Sequence, residues 1–352
     1  MENDRSLRFD VSPFAPTQAE EIELRDYFEL TTEIIAEVSP TLPAPKYDAY
    51  IAELRNPLTA RGPRESWVAR HDGRIVGAVE ITYLDHENIR YAQVFVRVTR
   101  SLRRKGIGST MLSACLDRVR NMGRDTLAGY NVLDDTPGLG WARGLGFVVV
   151  RRDAWQTLHI EGVDPALWQV SVPATFRLER WVDAAPDTLV DSFARARTAM
   201  MDAPMGASGV RQPAWTVMRV REREAELRVG DREHRFIVAV HEPTGEVAGL
   251  TEIAFGPRLP HTCFQQDTAV LSEYRGLGLG QAMKSAMMQW LTADHPEITE
   301  VRTTTAADNT HMIRVNAQLG YVMTAILNIV EAPVDALEHK LESLAKTRTS
   351  LR

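Results

Sequence analysis

The chain has 352 residues, 44% of them hydrophobic and 25% charged, enough for two ordinary globular cores. A net charge of −6 argues against nucleic acid as the main partner, and Cys115 and Cys263, the only cysteines, exclude a disulfide framework or a cysteine-rich metal site. No apolar run reaches transmembrane length, and the stretch Met1 to Asp10 is too charged for a secretory signal, so a cytoplasmic protein without a membrane partner is expected.

Arginine outnumbers lysine, which suggests a bacterial gene of high GC content. The first elements along the chain are a helical pair, about Ala19 to Val38 and Lys46 to Glu53, joined by the proline-rich loop Ser39 to Pro45. A hairpin turn, His71-Asp72-Gly73, then leads into the strand pattern Ile75 to Ile81. The β-branched run Val94 to Val98 precedes Arg103-Arg104-Lys105-Gly106-Ile107-Gly108, and a helix follows with Met111, Cys115 and Val119 on one face. A strand, Thr126 to Val132, comes next. The segment after it contains Pro137, Gly138, Gly140 and Gly144, all poor helix formers, and closes on Leu145-Gly146-Phe147.

The same series then repeats. Helices are predicted over Pro186 to Met201 and Thr216 to Arg228, a strand over Val247 to Ile253, and another over Thr268 to Leu271. Arg275-Gly276-Leu277-Gly278-Leu279-Gly280 follows, then a helix with Met283, Met287 and Leu291, a strand from Glu300 to Thr305, and Leu319-Gly320-Tyr321. Arg103 and Arg275, Gly106 and Gly278, and Gly108 and Gly280 each stand 172 positions apart. So long a period is a domain duplication and not a solenoid. Gly162 and Pro165 place the boundary in Glu161 to Gln169, giving domains 1–165 and 166–352. Residues Pro333 to Ala345 read as an amphipathic helix. Alternating helices and strands, once per half, predict an α/β or α+β architecture around a mixed sheet.

A strand, a glycine turn and a helix start together present backbone N–H groups and the positive end of a helix dipole to an anion. One Gly-x-Gly makes only a tight turn; two copies, each with an arginine and matched flanks, point to a bound diphosphate. Glycine lets the backbone come close to it. Gln281 after Gly280 breaks the G-x-G-x-x-G dinucleotide fingerprint, and no Lys-Ser/Thr follows to make a Walker loop. No cluster of metal ligands is present, and no metal is expected.

This order of elements, with its Arg-x-x-Gly-x-Gly turns, resembles the GNAT superfamily of acyl-CoA-dependent N-acyltransferases, present in tandem as in bacterial proteins similar to mycothiol synthase. The resemblance implies two domains, each a mixed, mostly antiparallel sheet flanked by helices. It also implies acetyl-CoA as co-substrate and a small-molecule primary amine as acceptor, in a monomer or homodimer. The implied contacts to coenzyme A are Val270, Arg275, Gly276, Gly278, Leu279, Gly280 and Asn309 in the second half. In the first they are Val98, Arg103, Arg104, Gly106, Ile107 and Gly108. Two adjacent strands would splay to admit the pantetheine arm, and the N–H near Val270 or Val98 would hold the developing oxyanion.

The family tyrosine that often acts as general acid is replaced by Asn316 in the second half and by Ala142 in the first. Either solvent protonates the thiolate or another residue, such as Tyr274 or Tyr321, does so. Asp267 and Glu252 are the candidate bases, since an unpaired carboxylate on a central strand would have a raised pKa. His261 and His311 lie nearby in sequence. Asp135 stands where the second half has Asn309, so the second half is expected to catalyse and the first to bind acyl-CoA weakly or serve as scaffold. Two further readings stay open: a non-catalytic acyl-CoA sensor or interaction protein, and a protein-lysine acetyltransferase.

Overall fold

The structure is a computed structural model that describes residues 8–39, 41–56, 62–228 and 231–350. Residues 1–7 and Pro40, read above as part of the charged start and of the proline-rich loop, lie outside the described residues. The chain forms two compact units, one of residues 1–150 with 328–352 and the other of residues 151–327.

In the first unit β1 (Asp10–Phe14) is followed by α1 (Glu21–Val38) and α2 (Tyr47–Arg55). A capping box between Glu20 and Glu23 starts α1. Then come β2 (Arg64–His71), β3 (Arg74–Tyr83), β4 (Tyr91–Val98), α3 (Ile107–Asn121), β5 (Thr126–Leu133) and α4 (Pro137–Leu145). Asp72 (φ 49°) and Gly73 (φ 78°) make the expected two-residue turn between β2 and β3. Helix α4 forms despite its glycines. Pro137 sits at a helix start, where its missing N–H costs nothing, Thr136 accepts from the Leu139 N–H, and Leu139, Ala142 and Leu145 bury one face.

Strand β6 (Val148–His159) carries the chain into the second unit. There follow β7 (Phe176–Val182), α5 (Val190–Thr198), α6 (Val217–Leu227), β8 (Glu233–His241), β9 (Glu246–Phe255) and β10 (Thr262–Val270). After them come α7 (Leu279–Asp294), β11 (Glu300–Ala306), α8 (Thr310–Gln318), β12 (Val322–Pro333) and α9 (Val334–Ser350). The strand order is β1-β2-β3-β4-β5, then residues 328–333 of β12, in the first unit, and β6-β11-β10-β9-β8-β7 in the second. Only β4 with β5 and β10 with β11 run parallel among the pairs whose register is given; the others are antiparallel. Each half is thus the mixed, mostly antiparallel sheet the sequence predicts.

The compact units differ from the expected division at 165/166. Each sheet takes its last strand from the other half of the sequence: β6 pairs with β11 from Asp153 to His159, and residues 328–333 of β12 lie beside β5. Side-chain packing explains the exchange. Val330, Ala332, Val334, Leu337 and Leu341 join the same buried cluster as Met111, Leu112, Leu127 and Leu145. The amphipathic tail therefore closes the first unit's core. Both helical stripes are also buried, Met111, Cys115 and Val119 in the first unit and Met283, Met287 and Leu291 in the second. Leu337 is fully buried on α9, so Leu337→Ala should lower the stability of the first unit by about 2–5 kcal/mol, read as a shift in its denaturant midpoint.

Candidate active site

Strand β10 ends at Val270 and passes through one short turn, Ser272–Tyr274, to Arg275 and the glycines. Gly276 (φ 79°) and Gly278 (φ 82°) are left-handed, and Gly278 is the residue from which α7 starts. A Cβ at either glycine would meet nothing within 4 Å, so it is the backbone that demands glycine, and the space beside it is open. No side chain caps α7, which leaves the first-turn N–H groups of Leu279, Gly280 and Gln281 to that space. Leu279 buries its side chain; only its N–H serves the turn. The first unit repeats the shape, with Gly106 (φ 89°) at the uncapped start of α3, followed by Ile107 and Gly108. Arg104 takes φ 65° where the second unit has Gly276, a strain of about 1 kcal/mol or more for a residue with a Cβ.

The leading arginines clip the turn to the strand before it. Arg275 Nε donates to the Val270 carbonyl at 3.0 Å and a terminal nitrogen to Asp202 at 2.5 Å. Arg103 likewise donates from Nε to the Val98 carbonyl at 3.0 Å, and both its terminal nitrogens bind Glu37 at 2.7 and 2.5 Å. Each arginine fastens the turn to its own strand.

Beyond this clip the strands part. Parallel pairing of β10 with β11 covers only Thr262–Glu300, Cys263–Val301 and Phe264–Arg302, although β10 runs on to Val270 and β11 to Ala306. In the first unit, β4 and β5 pair from Tyr91–Thr126 to Val94–Gly129 and then separate. The orientation of the freed groups follows from the antiparallel side. Leu271 N–H donates to the Ala248 carbonyl across the Val270–Gly249 pair, so the N–H and C=O of Val270 itself turn away from β9 toward the gap. Thr99 and Val76 fix Val98 in the same way. Thr268, opposite Thr251, has the same parity as Val270 and turns its N–H into the gap two residues deeper. Sequence reading missed Thr268, although simple alternation from Val270 would have found it.

The two units differ at this point. Between Gln265 and Thr268, β10 carries one extra residue relative to β9, a bulge absent from the unbroken β3–β4 register. The bulge contains Asp267. Its carboxylate lies 3.5 Å from a terminal nitrogen of Arg197, which also donates to Glu252 Oε2 at 3.1 Å; His234 Nδ1 lies 2.9 Å from Glu252 Oε1. Arg197 comes from α5 and stacks over the Trp215 ring at 4.1 Å. Glu252 thus departs from the raised pKa expected of it. Burial raises its pKa, but Arg197, His234 and Arg223 outweigh burial and hold the carboxyl below its ordinary range. Asp267, whose side chain is 38% exposed, is the acid that reaches the surface. In the first unit the matching Glu80 pairs with Arg97 of β4, which also donates to the Tyr27 hydroxyl at 3.1 Å and to Thr31 at 3.2 Å. Arg97 is buried among these groups, and Ala269 stands at its position in the second unit.

The alternative proton donors are placed away from the gap. Tyr274 packs edge-on against Phe176 of β7, its hydroxyl 3.4 Å from His241 of β8, on the far side of β9. Tyr321 is buried with its hydroxyl toward Met288, and burial raises its pKa further. His261 Nδ1 lies 2.8 Å from the Glu297 carbonyl, and His311 is exposed at the start of α8. Asn309 caps α8 by accepting from the Met312 N–H at 3.1 Å; the first unit uses Thr136 for this, beside Asp135 at φ 54°. Asn316 is almost wholly buried. Among the described residues no group of acidic, histidine or cysteine side chains could hold a metal, and no helix is long and apolar enough to cross a membrane.

The model of the acetyltransferase (GNAT) family matches residues 24–154 and again 202–321, so most of both halves is accounted for. The chain belongs to the GNAT acetyltransferase family. Among solved structures, this GNAT chain is similar to a tandem GNAT protein from the clavulanic acid biosynthesis pathway. That match has a TM-score of 0.75 and 26% identity, over 93% of this chain and 99% of that one. A GCN5-related N-acetyltransferase from Sphaerobacter thermophilus shares the fold at a TM-score of 0.68 and 14% identity, covering 93% of this chain and 96% of the other. A glucosamine N-acetyltransferase region in a fungal multi-domain β-N-acetylglucosaminidase does so at 0.64 and 15%, over 93% of this chain and 38% of that one. Comparison with curated proteins gave no match.

Two charge effects in the second unit have measurable consequences. Arg197→Met would remove the largest of the charges that compensate buried Glu252, so a loss of about 3–5 kcal/mol is expected in urea denaturation. Lys284, buried on α7 over the Tyr321 ring, is pushed by desolvation from 10.5 to about 7. The unfolded chain binds the additional proton between those values, so this lysine makes stability rise with pH from about 7 to 10.5. Lys284→Met should flatten that rise in denaturant midpoints measured across the window.

Proposed function

We propose that this chain is an N-acetyltransferase that moves an acetyl group from acetyl-CoA to a primary amine of a small molecule, with the second unit as the catalytic one. The observation that carries the proposal is the gap between β10 and β11, with the N–H groups of Val270 and Thr268 turned into it beneath an uncapped helix start. The N–H groups of the 276–281 turn suit the diphosphate, and glycines 276, 278 and 280 leave room for it. Acetyl-CoA supplies the activated acyl group. Val270 and Thr268 donate to the arm and to the thioester oxygen, where negative charge grows during attack.

The acceptor amine approaches from the α5 face. Asp267, 3.5 Å from Arg197, orients the incoming ammonium and receives its proton directly or through water. Glu252 and His234 act one step back: they fix the guanidinium that fixes Asp267. With Asn316 at the position of the family tyrosine, the leaving thiolate takes its proton from solvent. The first unit keeps the turn but not the acceptor face, which Arg97 fills, and it acts as scaffold. The tandem GNAT likeness supports two units of this fold and names no amine.

Free thiol release with acetyl-CoA and a panel of small amines tests the reading. Gly280 is the position to probe, because a Cβ there makes ordinary contact at 4.0 Å and the fold should tolerate substitution. Gly280→Leu fills the anion space and should lower kcat/KM by about 100-fold or more, whereas Gly108→Leu in the first unit should change it less than about 3-fold. Equal losses from both variants would refute the assignment to the second unit. Asp267→Asn should lower kcat by about 10²-fold or more in the same thiol-release assay.

A further inference from the structure

One inference rests on the proposed reading and deepens it, because the inner end of the β10–β11 gap is polar in a way the first unit is not. The last parallel pair is Phe264–Arg302, and Gln265 is the next residue of β10. Its side chain is almost fully buried, and its amide orientation is fixed by the partners it serves. Nε2 donates to the Glu252 carbonyl at 2.7 Å and to Thr251 Oγ1 at 3.0 Å, leaving Oε1 as the free end. That oxygen is buried and receives no hydrogen bond among the described residues. Across the gap Thr303 donates to the Gln265 backbone carbonyl at 3.3 Å. Two residues along β11, Thr305 accepts from Asn316 Nδ2 at 3.4 Å, while the same nitrogen donates to Gln156 Oε1 at 2.8 Å. Asn316 Oδ1 is a second buried oxygen without a donor. Thr251 and Thr268 bond to each other at 2.8 Å, so hydroxyls and amides line both sides of the inner end.

The first unit carries no such belt. Register places Val94 opposite Ile81 as Gln265 lies opposite Ile253, so Val94 is the counterpart of Gln265. Val79, Val96, Gly129 and Ala142 stand in for Thr251, Thr268, Thr303 and Asn316. Buried acceptors without donors are rare in folded proteins, and two on residues that flank the end of one parallel ladder indicate a partner that brings donors. The gap is also short. From Val270 to Gln265 it spans about 15 Å at the ordinary rise of a strand, after which the Phe264–Arg302 pair closes it.

We infer that Gln265 and Asn316 set the acyl specificity of the second unit: it takes a short acyl group whose end is small or hydrogen-bonded, directly or through one water, and rejects a longer hydrocarbon chain. A saturated chain of six carbons would have to lie against two carbonyl oxygens and deny them any donor. Acetyl is small enough to leave that water in place, and a hydroxyacetyl group would supply the donor itself.

The test compares acetyl-, hydroxyacetyl- and hexanoyl-CoA with the full chain, reading both thiol release and calorimetric binding. The expected wild-type result is a kcat/KM for acetyl- and hydroxyacetyl-CoA at least about 100-fold above that for hexanoyl-CoA. Gln265→Val, which installs the first unit's residue, and Asn316→Ala, made separately in case either misfolds, should each shift the acetyl-to-hexanoyl ratio at least about 10-fold toward hexanoyl. Equal use of hexanoyl-CoA by the wild type, or turnover with an unchanged ratio in both variants, overturns this inference and leaves the acetyltransferase reading standing. Absence of binding and of thiol release with all three thioesters overturns both.

Discussion

The early end of one parallel ladder is the constraint on which the candidate site depends. Backbone N–H and C=O groups inside a protein are almost always paired, so a central strand that leaves its neighbour with several residues still to run is holding open places for something else. In the second unit β10 and β11 hold only three paired positions before they part. Arg275 takes up the exposed Val270 carbonyl, and the N–H beside it stays turned into the gap. The clip, the glycine turn and the uncapped helix then follow within ten residues. A diphosphate and a donor-seeking carbonyl oxygen can therefore be served by backbone alone, which needs no rotamer to be ordered.

The duplication preserves this backbone and lets the side chains diverge. Both units have the splay, the arginine clip and the left-handed residue that starts the helix. Their faces differ. The first unit packs Arg97 among Tyr27, Thr31 and Glu80 on one face, and lines its gap with valine, glycine and alanine on the other. The second unit has a bulge in β10, a carboxylate on the bulge and amides at the inner end. The same arginine clip thus supports a filled face in one unit and an equipped one in the other.

Charge inside the second unit is arranged as a chain. His234, Glu252, Arg197 and Asp267 follow one another at 2.9, 3.1 and 3.5 Å, from a buried imidazole to a carboxylate that meets solvent. Buried ions are costly unless each is compensated, and the sequence of opposite charges meets that condition while fixing where the last carboxylate stands. Lys284 has no such ion pair among the described residues, and burial pushes its pKa down to about 7.

The sequence by itself determined the repeat, the helix faces, the glycine turns and the strand that ends in each, because all of these are local: a left-handed φ at Gly278 or a buried stripe at Met283, Met287 and Leu291 is written in residues a few positions apart. The end of β10 at Val270 was legible for the same reason. Only the tertiary structure decided the rest. That the end of β12 joins the first unit depends on hydrophobic residues far apart in sequence, such as Leu112 and Leu337, meeting in one core. That Glu252 is paired depends on Arg197, 55 residues away, and the Gln265 oxygen that receives no hydrogen bond among the described residues depends on where one bulge interrupts the register. Such long-range pairings leave no local pattern, since the energy that selects them resides in contacts formed only when the chain has folded.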